Sequence, residues 1–168
     1  DLNALGTAQF GVLTSTQIAG LTPEQVGKLE TADLAALTPT ALKGLGVDAM
    51  AALSTGQVAA LTSAQFTTLS STQLSALGTA QVAAITTNDL KTLGTTAMAG
   101  LSAEQVGSLT TVQVAALSNA QVAGLSAAQF AGLGTDDLAA MSSTQIAVLG
   151  TAQAAALTER LEAIKVAM

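Results

Sequence analysis

Side chains that commonly perform chemistry are scarce in this chain. It contains no His, Cys, Trp or Tyr, which excludes the usual nucleophile–base pairs and the usual zinc ligands. The carboxylates are dispersed, and only Asp136 and Asp137 are adjacent acids. Two neighbours at the start of a helix point in different directions, so we do not expect them to act as an acid–base pair. The sequence therefore predicts a protein that is not an enzyme, with no catalytic, cofactor-binding or metal-binding residue and no cofactor.

Composition limits the classes of partner. Five basic residues stand against eleven acidic ones, and they form no basic stripe of the kind that binds phosphates. We therefore expect no nucleic-acid binding. Polar residues interrupt every apolar run well before the length of a membrane helix, so we expect no membrane insertion. Apolar residues make up 49% of the chain and charged residues only 10%, which argues against disorder.

An eight-residue period runs through the chain. Counted from residue 5 to residue 157, every eighth position is Leu, except that Ile85 and Met141 fill two of the places. The unit can be written L-[T/S/G]-x-x-Q-[V/I/L/F]-A-[A/G]. An internal period held over twenty copies indicates a repeat architecture.

Each octad carries the signals that begin a helix. In residues 21–26, Thr22 stands at the N-cap, Pro23 at the first helical position and Gln25 three residues after the cap, which completes a capping box. Leu21 and Val26 occupy the two places of a hydrophobic staple. The sequence therefore predicts one short helix per octad and an all-α fold.

Helices of about six residues are unstable alone, because nucleation dominates at this length. Their stability must come from stacking, so we expect a solenoid of very short helices over residues 1–157. Two or three octads per turn of the solenoid are both compatible with the pattern.

Residues 158–168 lack a further cap, and Leu157, Leu161, Ile164 and Met168 share one helical face. We therefore expect a longer, amphipathic C-terminal capping helix.

Two polar columns recur often enough to form a surface: the N-cap Thr or Ser and the Gln three residues later. Capping explains both. The alternative is an adhesin-type binding module, in which a regular Thr/Gln face binds a glycan or a partner protein. Glycines interrupt the N-cap column, which counts against ice as a ligand. Asp or Ala replaces Gln in six copies: Asp33, Ala41, Ala49, Asp89, Ala97 and Asp137.

Octads such as LGTAQVAA (77–84) and LTTVQVAA (109–116) resemble repeat tracts of very large bacterial exoproteins. Those proteins are often labelled adhesion or haem-utilisation proteins and look like type I secretion substrates. The resemblance covers residues 2–157 and implies a bacterial extracellular or cell-surface location. Haem is not carried over, because the chain has no His, Tyr or Cys to serve as axial ligand.

A second resemblance lies in residues 21–26. LTPEQV resembles the start of the DNA-reading repeats of TAL effectors, but those repeats are several times longer than an octad. The period therefore leaves no room for their second helix and base-reading loop. The leading expectation is instead a rod-like spacer or scaffold, which self-associates laterally or end to end into filaments.

Overall fold

The structure, a computed structural model, describes the backbone of residues 2–167 and, within that range, every side chain except those of residues 3, 161 and 163–167. A 3₁₀ helix (Leu2–Ala4) precedes nineteen α-helices. These are α1 (Thr7–Phe10), α2 (Ser15–Ala19), α3 (Pro23–Gly27), α4 (Thr31–Ala36), α5 (Pro39–Leu42), α6 (Val47–Ala51), α7 (Thr55–Ala60), α8 (Ser63–Phe66), α9 (Ser71–Ser75), α10 (Thr79–Ala83), α11 (Thr87–Thr92), α12 (Thr95–Met98), α13 (Ala103–Gly107), α14 (Thr111–Ala116), α15 (Asn119–Ala123), α16 (Ala127–Ala131), α17 (Thr135–Ala140), α18 (Ser143–Ala147) and α19 (Thr151–Ala167). The predicted all-α fold with one helix per octad and a longer C-terminal helix is confirmed.

The capping box forms as the spacing predicts. At α3, the Gln25 backbone N–H donates to Thr22 Oγ1 at 3.2 Å, and the Thr22 backbone N–H donates to Gln25 Oε1 at 2.8 Å. These bonds satisfy two amides that a helix start leaves without partners. Where Gly is the N-cap and Gln or Asp stands three residues later, as at Gly78, only the second bond forms, because glycine has no hydroxyl.

Three helices make one turn of the solenoid. Each helix from α1 to α16 packs on the helix three places further along the chain, so that α1 contacts α4 and α2 contacts α5. A turn therefore contains three octads, or 24 residues, and the rod has three sides. Side A contains α1, α4 and every third helix after them; side B begins with α2 and side C with α3. This resolves the choice between two and three octads per turn.

The corners after α4, α7, α11, α14 and α17 are made by two successive extended residues. After α4, Leu37 has φ −57° and ψ 135°, and Thr38, the N-cap of α5, has φ −63° and ψ 151°. No residue in the described part of the chain has positive φ, so the corners do not depend on glycine. The corner leucines and the apolar residues at the sixth place of the octads of α1 to α16 point inward and form one continuous core.

Glycine is required where turns approach closely. A Cβ built on Gly100 would lie 2.4 Å from the backbone oxygen of Ser71, one turn below, whereas Gly94 in the same octad has nothing within 4 Å of its Cβ position. Such a contact with backbone cannot be relieved by a side-chain movement, so the two turns must separate.

We expect Gly100→Ala to lower the free energy of unfolding by about 1–3 kcal/mol because of this clash. Gly94→Ser is the matched control: it adds a capping hydroxyl in open space and should raise the stability by up to about 0.5 kcal/mol. Urea unfolding followed by circular dichroism measures both. Equal effects of the two substitutions would contradict the close approach at Gly100.

The C-terminal helix α19 begins at Thr151, so the octad that starts at Leu149 and the segment after residue 157 share one helix. Ala154, Ala155 and Ala156 favour continuation, since alanine has the highest helix propensity. Of the predicted apolar face, Leu157 is half-buried against the core. The side chains of Leu161, Ile164 and Met168 fall outside the described residues, so the amphipathic character of this segment stays a prediction, as does the division of the chain after residue 157.

Candidate functional site

The glutamine column is the most regular polar feature of the rod, and each of its side chains above the first turn makes two kinds of contact. Gln65 shows both. Its Oε1 accepts from the backbone N–H of Thr62 at 2.7 Å, which is the capping contact. Its Nε2 donates to the backbone oxygens of Leu34 at 2.9 Å and Leu37 at 2.8 Å, which lie one turn below. A single amide therefore caps its own helix and bonds the turn beneath it.

The same bridge recurs at a constant spacing. The amide Nε2 reaches the carbonyl 31 residues earlier, at the end of a helix, and the carbonyl 28 residues earlier, on the corner leucine or isoleucine. We call the side chains that do this the bridging glutamines: Gln57, Gln65, Gln73, Gln81, Gln105, Gln113, Gln121, Gln129, Gln145 and Gln153. The helix-end carbonyl of each pair also accepts from the backbone N–H of the corner residue, as Leu34 does from Leu37. The amide adds a second donor to that carbonyl and supplies a donor to the corner carbonyl, which a helix end leaves without a helical partner.

All ten bridging glutamines are buried, with exposed fractions between 0% and 7%. Their acceptor and both donor directions are engaged within the rod, which a buried primary amide requires. These ten amides are therefore not available to a ligand, and they contribute nothing to the Thr/Gln binding face of the alternative hypothesis. The amide group itself carried a signal: a buried Gln that uses its oxygen for capping must still place two N–H donors.

Six copies lack the bridge because Asp or Ala stands in the glutamine column. Asp89 is 6% exposed and accepts hydrogen bonds from the hydroxyls of Thr86 and, one turn below, Ser63, both at 2.5 Å. A carboxylate has no N–H to donate to the corner carbonyls. Asp137 is buried and accepts from the backbone N–H of Gly134 at 2.9 Å, while its neighbour Asp136 is exposed. The adjacent acids thus diverge, as expected.

Arg160 takes over the bridging role at the upper end. Its guanidinium donates to the backbone oxygens of Ala131 at 3.1 Å and Leu133 at 2.9 Å. These carbonyls lie at the corner between α16 and α17, where the next glutamine of the series would bond. Arginine suits the position because its planar group presents several N–H donors at once. The sequence pattern did not reveal this, since Arg160 precedes the glutamine register by one residue.

The exposed N-cap residues form one column at each of the three corners of the rod. At the corner that begins side B, five successive turns carry threonine: Thr14, Thr38, Thr62, Thr86 and Thr110. The sixth copy there is Gly134. We call this column the threonine corner. The other glycine N-caps fall on the other two corners, so the threonine corner is uninterrupted over its first five turns.

Charge is sparse on the described surface. Glu24 and Lys28 form an exposed ion pair along α3, an interaction that contributes little to stability in water. Lys43 and Lys91 are exposed on side B, two turns apart.

Two open grooves of about 480 and 450 Å³ lie between successive turns at corners, and Gly46 and Gly78 line one each. In the described residues, no three His, Cys, Asp or Glu side chains are close enough to hold a metal ion.

Comparison with known families identifies one repeat family. The ALTTAQ repeat matches residues 1–29, 26–63, 55–87, 82–119 and 130–160. The chain belongs to the ALTTAQ repeat family. Residues 76–81 read ALGTAQ, which differs from the six letters of the family name at one place. In the rod, this stretch runs from the end of α9 across the corner at Leu77 to the bridging Gln81.

Searches of curated proteins and of solved structures found no match to this ALTTAQ array. Among the described helices, none is both long enough and apolar enough to cross a membrane.

Proposed function

We propose that this ALTTAQ array is a structural element: a rod-like spacer or scaffold within a bacterial extracellular or cell-surface protein. One observation carries the proposal. The residues that define the octad are all used by the architecture, since the leucine and aliphatic places fill the core and the Thr and Gln places cap helices and bond adjacent turns. An array whose defining side chains all hold its own turns together has a fixed length and a stiff backbone, which are the properties of a spacer.

Stacked helices fix the dimensions of such a spacer. Packed helices lie about 8–10 Å apart, so each turn of 24 residues lengthens the rod by about this distance. Stability of such arrays is a sum of repeat terms and nearest-neighbour terms, which allows length to change without a change of fold. The extracellular setting is supported by the resemblance of the octads to repeat tracts of bacterial exoproteins.

Insertion of a second copy of residues 53–76, one full turn, tests the spacer proposal. We expect the maximum dimension from small-angle X-ray scattering to rise by about 8–10 Å with an unchanged cross-section. A matched insertion of residues 53–72, which is not a whole number of octads, should broaden the particle or unfold part of it. A full-turn insertion that leaves the maximum dimension of the particle unchanged would contradict the spacer proposal.

An adhesin-type binding module is the second candidate, and the threonine corner favours it. Each threonine hydroxyl there accepts from a backbone N–H, as Thr62 does from Gln65 at 3.3 Å, and the residue is exposed. Each threonine also presents a methyl group and a hydroxyl that can form a further hydrogen bond, and this pair of groups recurs once per turn. A glycan or protein with a matching repeat would bind along that edge.

Thr→Ser substitutions at Thr38, Thr62 and Thr86 test this candidate, because serine keeps the capping oxygen and removes the methyl group. We expect a glycan-array signal of the wild-type chain, if it is borne by the threonine corner, to fall at least about tenfold in the triple variant, a loss equivalent to 1.4 kcal/mol. Absence of saturable binding by the wild type would contradict the binding-module candidate and leave the spacer as the one proposed function.

A further inference from the structure

Two lysines of the rod have no ion-pair partner among the described residues. Lys28 is paired with Glu24, and Arg160 donates to the backbone oxygens of a corner. Lys43 and Lys91, by contrast, are exposed, and no described carboxylate lies within ion-pair distance of either ammonium group. They belong to the second and fourth turns, which have complete turns below and above them. Their exposure therefore does not depend on where the chain begins or ends.

The two lysines stand in one column. Lys43, Thr67 and Lys91 occupy the seventh place of successive octads of side B, beside the corner that begins side C; we call these three residues the lysine column. The same place is alanine one turn below and one turn above, at Ala19 and Ala115. Because each turn lengthens the rod by about 8–10 Å, the two lysines are about 16–20 Å apart. The column thus presents two cations separated by the exposed hydroxyl of Thr67.

A groove lies beside Lys43, between the second and third turns. It has a volume of about 480 Å³, and its walls include Lys43, Gly46, Val47, Thr68, Ser70 and Thr72. The space at Gly46 is open, since a Cβ built there would have nothing within 4 Å. Val47 is 49% exposed, whereas Ser71 and Thr95 hold the same place in the next two turns of side C. None of the described carboxylates, Asp48 included, lines the groove. It therefore combines a cation, hydroxyl groups and an apolar surface.

We propose that the lysine column and this groove bind an acidic polysaccharide, a sugar chain that carries carboxylate or sulfate groups. Lys43 and Lys91 attract two of its anionic groups. The exposed hydroxyl of Thr72 and the hydroxyl oxygen of Thr68 exchange hydrogen bonds with sugar hydroxyls, and Val47 contacts the apolar face of a sugar ring. Ligand sites typically pair such apolar surface with a few placed polar groups. The site lies at a different corner from the threonine corner and shares no residue with it.

The spacing of the two cations favours a sparsely charged chain. Duplex DNA carries one charge per about 1.7 Å, so two cations would face about ten phosphates over the same span. A second copy of the array does not match either, because no two exposed acids of its described sides share a column two turns apart. The net charge of −6 opposes binding only weakly, because exposed charges more than about 8 Å apart are largely screened at physiological ionic strength.

The double variant Lys43→Gln, Lys91→Gln tests the site in the whole chain. Fluorescence anisotropy with fluorescein-labelled hyaluronan, whose carboxylates are separated by neutral sugars, measures the Kd. We expect saturable binding by the wild type that weakens as salt is added, and a Kd raised at least about tenfold in the double variant. Circular dichroism and the melting temperature should be unchanged, because both side chains are exposed and pair with no described acid.

Lys28→Gln is the matched control for the single variant Lys43→Gln, because each removes one exposed positive charge. The control should bind hyaluronan as the wild type does, while Lys43→Gln and Val47→Thr should each raise the Kd by at least about threefold. Equal losses for Lys28→Gln and Lys43→Gln, wild-type binding by the double variant, or no saturable binding by the wild type overturns the inference. Tighter binding of polyglutamate or duplex DNA than of hyaluronan also overturns it, because the partner would then be another class of polyanion. The spacer proposal, tested by rod length, and the threonine corner, tested by its own triple variant, stand or fall separately.

Discussion

Deletion of residues 53–72 is expected to disrupt the rod, whereas the larger deletion of residues 53–76 is expected to leave a shorter, cooperatively folded one. The larger deletion removes three whole octads and brings Leu77 into the place of Leu53, so every bridge and core column above it stays in register. The smaller one joins Ala52 to Gln73 and leaves a unit of twelve residues between Leu45 and Leu77. Helices on the two sides then no longer stack with matching carbonyls and amides.

The expected difference in stability between the two deletion variants is large because the smaller deletion removes several contacts together. The out-of-register junction removes the bonds of Gln81 to Met50 and of Gln73 to Leu42 and Leu45, as well as core burial at one turn. Each buried hydrogen bond contributes about 1 kcal/mol and each buried aliphatic side chain about 1.5–3 kcal/mol.

Thermal unfolding followed by far-ultraviolet circular dichroism checks this prediction. The 24-residue deletion should give one unfolding transition, with a melting temperature reduced by the loss of one turn's contribution to stability. The 20-residue deletion should lose helical signal at 20 °C, where the other variant is folded, or melt in two steps. Two deletions that melt alike would show that the three-octad turn is not the unit of packing.

Gln65→Glu is expected to destabilise the chain by about 3–5 kcal/mol, although it is nearly isosteric. The introduced carboxylate can still accept from the Thr62 backbone N–H, but it faces the carbonyls of Leu34 and Leu37 with no proton to donate. It therefore buries a charge against two carbonyl dipoles and removes the side-chain donor of both carbonyls, of which Leu34 keeps the backbone N–H of Leu37.

Two controls isolate the bridge from the cap. Thr62→Ala removes only the capping hydroxyl from the same helix and should cost about 1 kcal/mol. Gln17→Glu, on the same side of the rod but in the first turn, should cost less than about 0.5 kcal/mol, because Gln17 bonds no other turn. Acidification should restore part of the stability of Gln65→Glu, since burial favours the neutral carboxyl group. Equal costs at positions 65 and 17 would contradict the bridge.

The local part of the fold was predictable from the sequence. Leu21, Thr22, Gln25 and Val26 act within six residues of one another, so N-cap preference, capping-box spacing and apolar placement all bear on the same helix start. The same holds for the aliphatic core columns, because an octad that restarts a helix places its Leu and Val on one side.

The non-local part was not predictable in the same way. The bridge from Gln65 to Leu34 and Leu37 depends on how many octads complete a turn, and short-range preferences do not fix that number. The continuity of the threonine corner has the same origin: Thr38 and Thr62 are neighbours only once the turn is known to be 24 residues. The early start of α19 at Thr151 reflects the helix propensity of Ala154–Ala156, which outweighed the break expected at Leu157.

Hydrogen exchange of the glutamine side-chain amides tests the central claim directly. In an NMR spectrum of the chain, the Nε2 protons of the ten bridging glutamines should exchange at least about a hundredfold more slowly than those of Gln9, Gln17 and Gln25, because exchange at buried bonded sites requires local opening. Slow exchange at ten side chains and fast exchange at three would establish the turn-to-turn bridge. Uniformly fast exchange across all thirteen would contradict it.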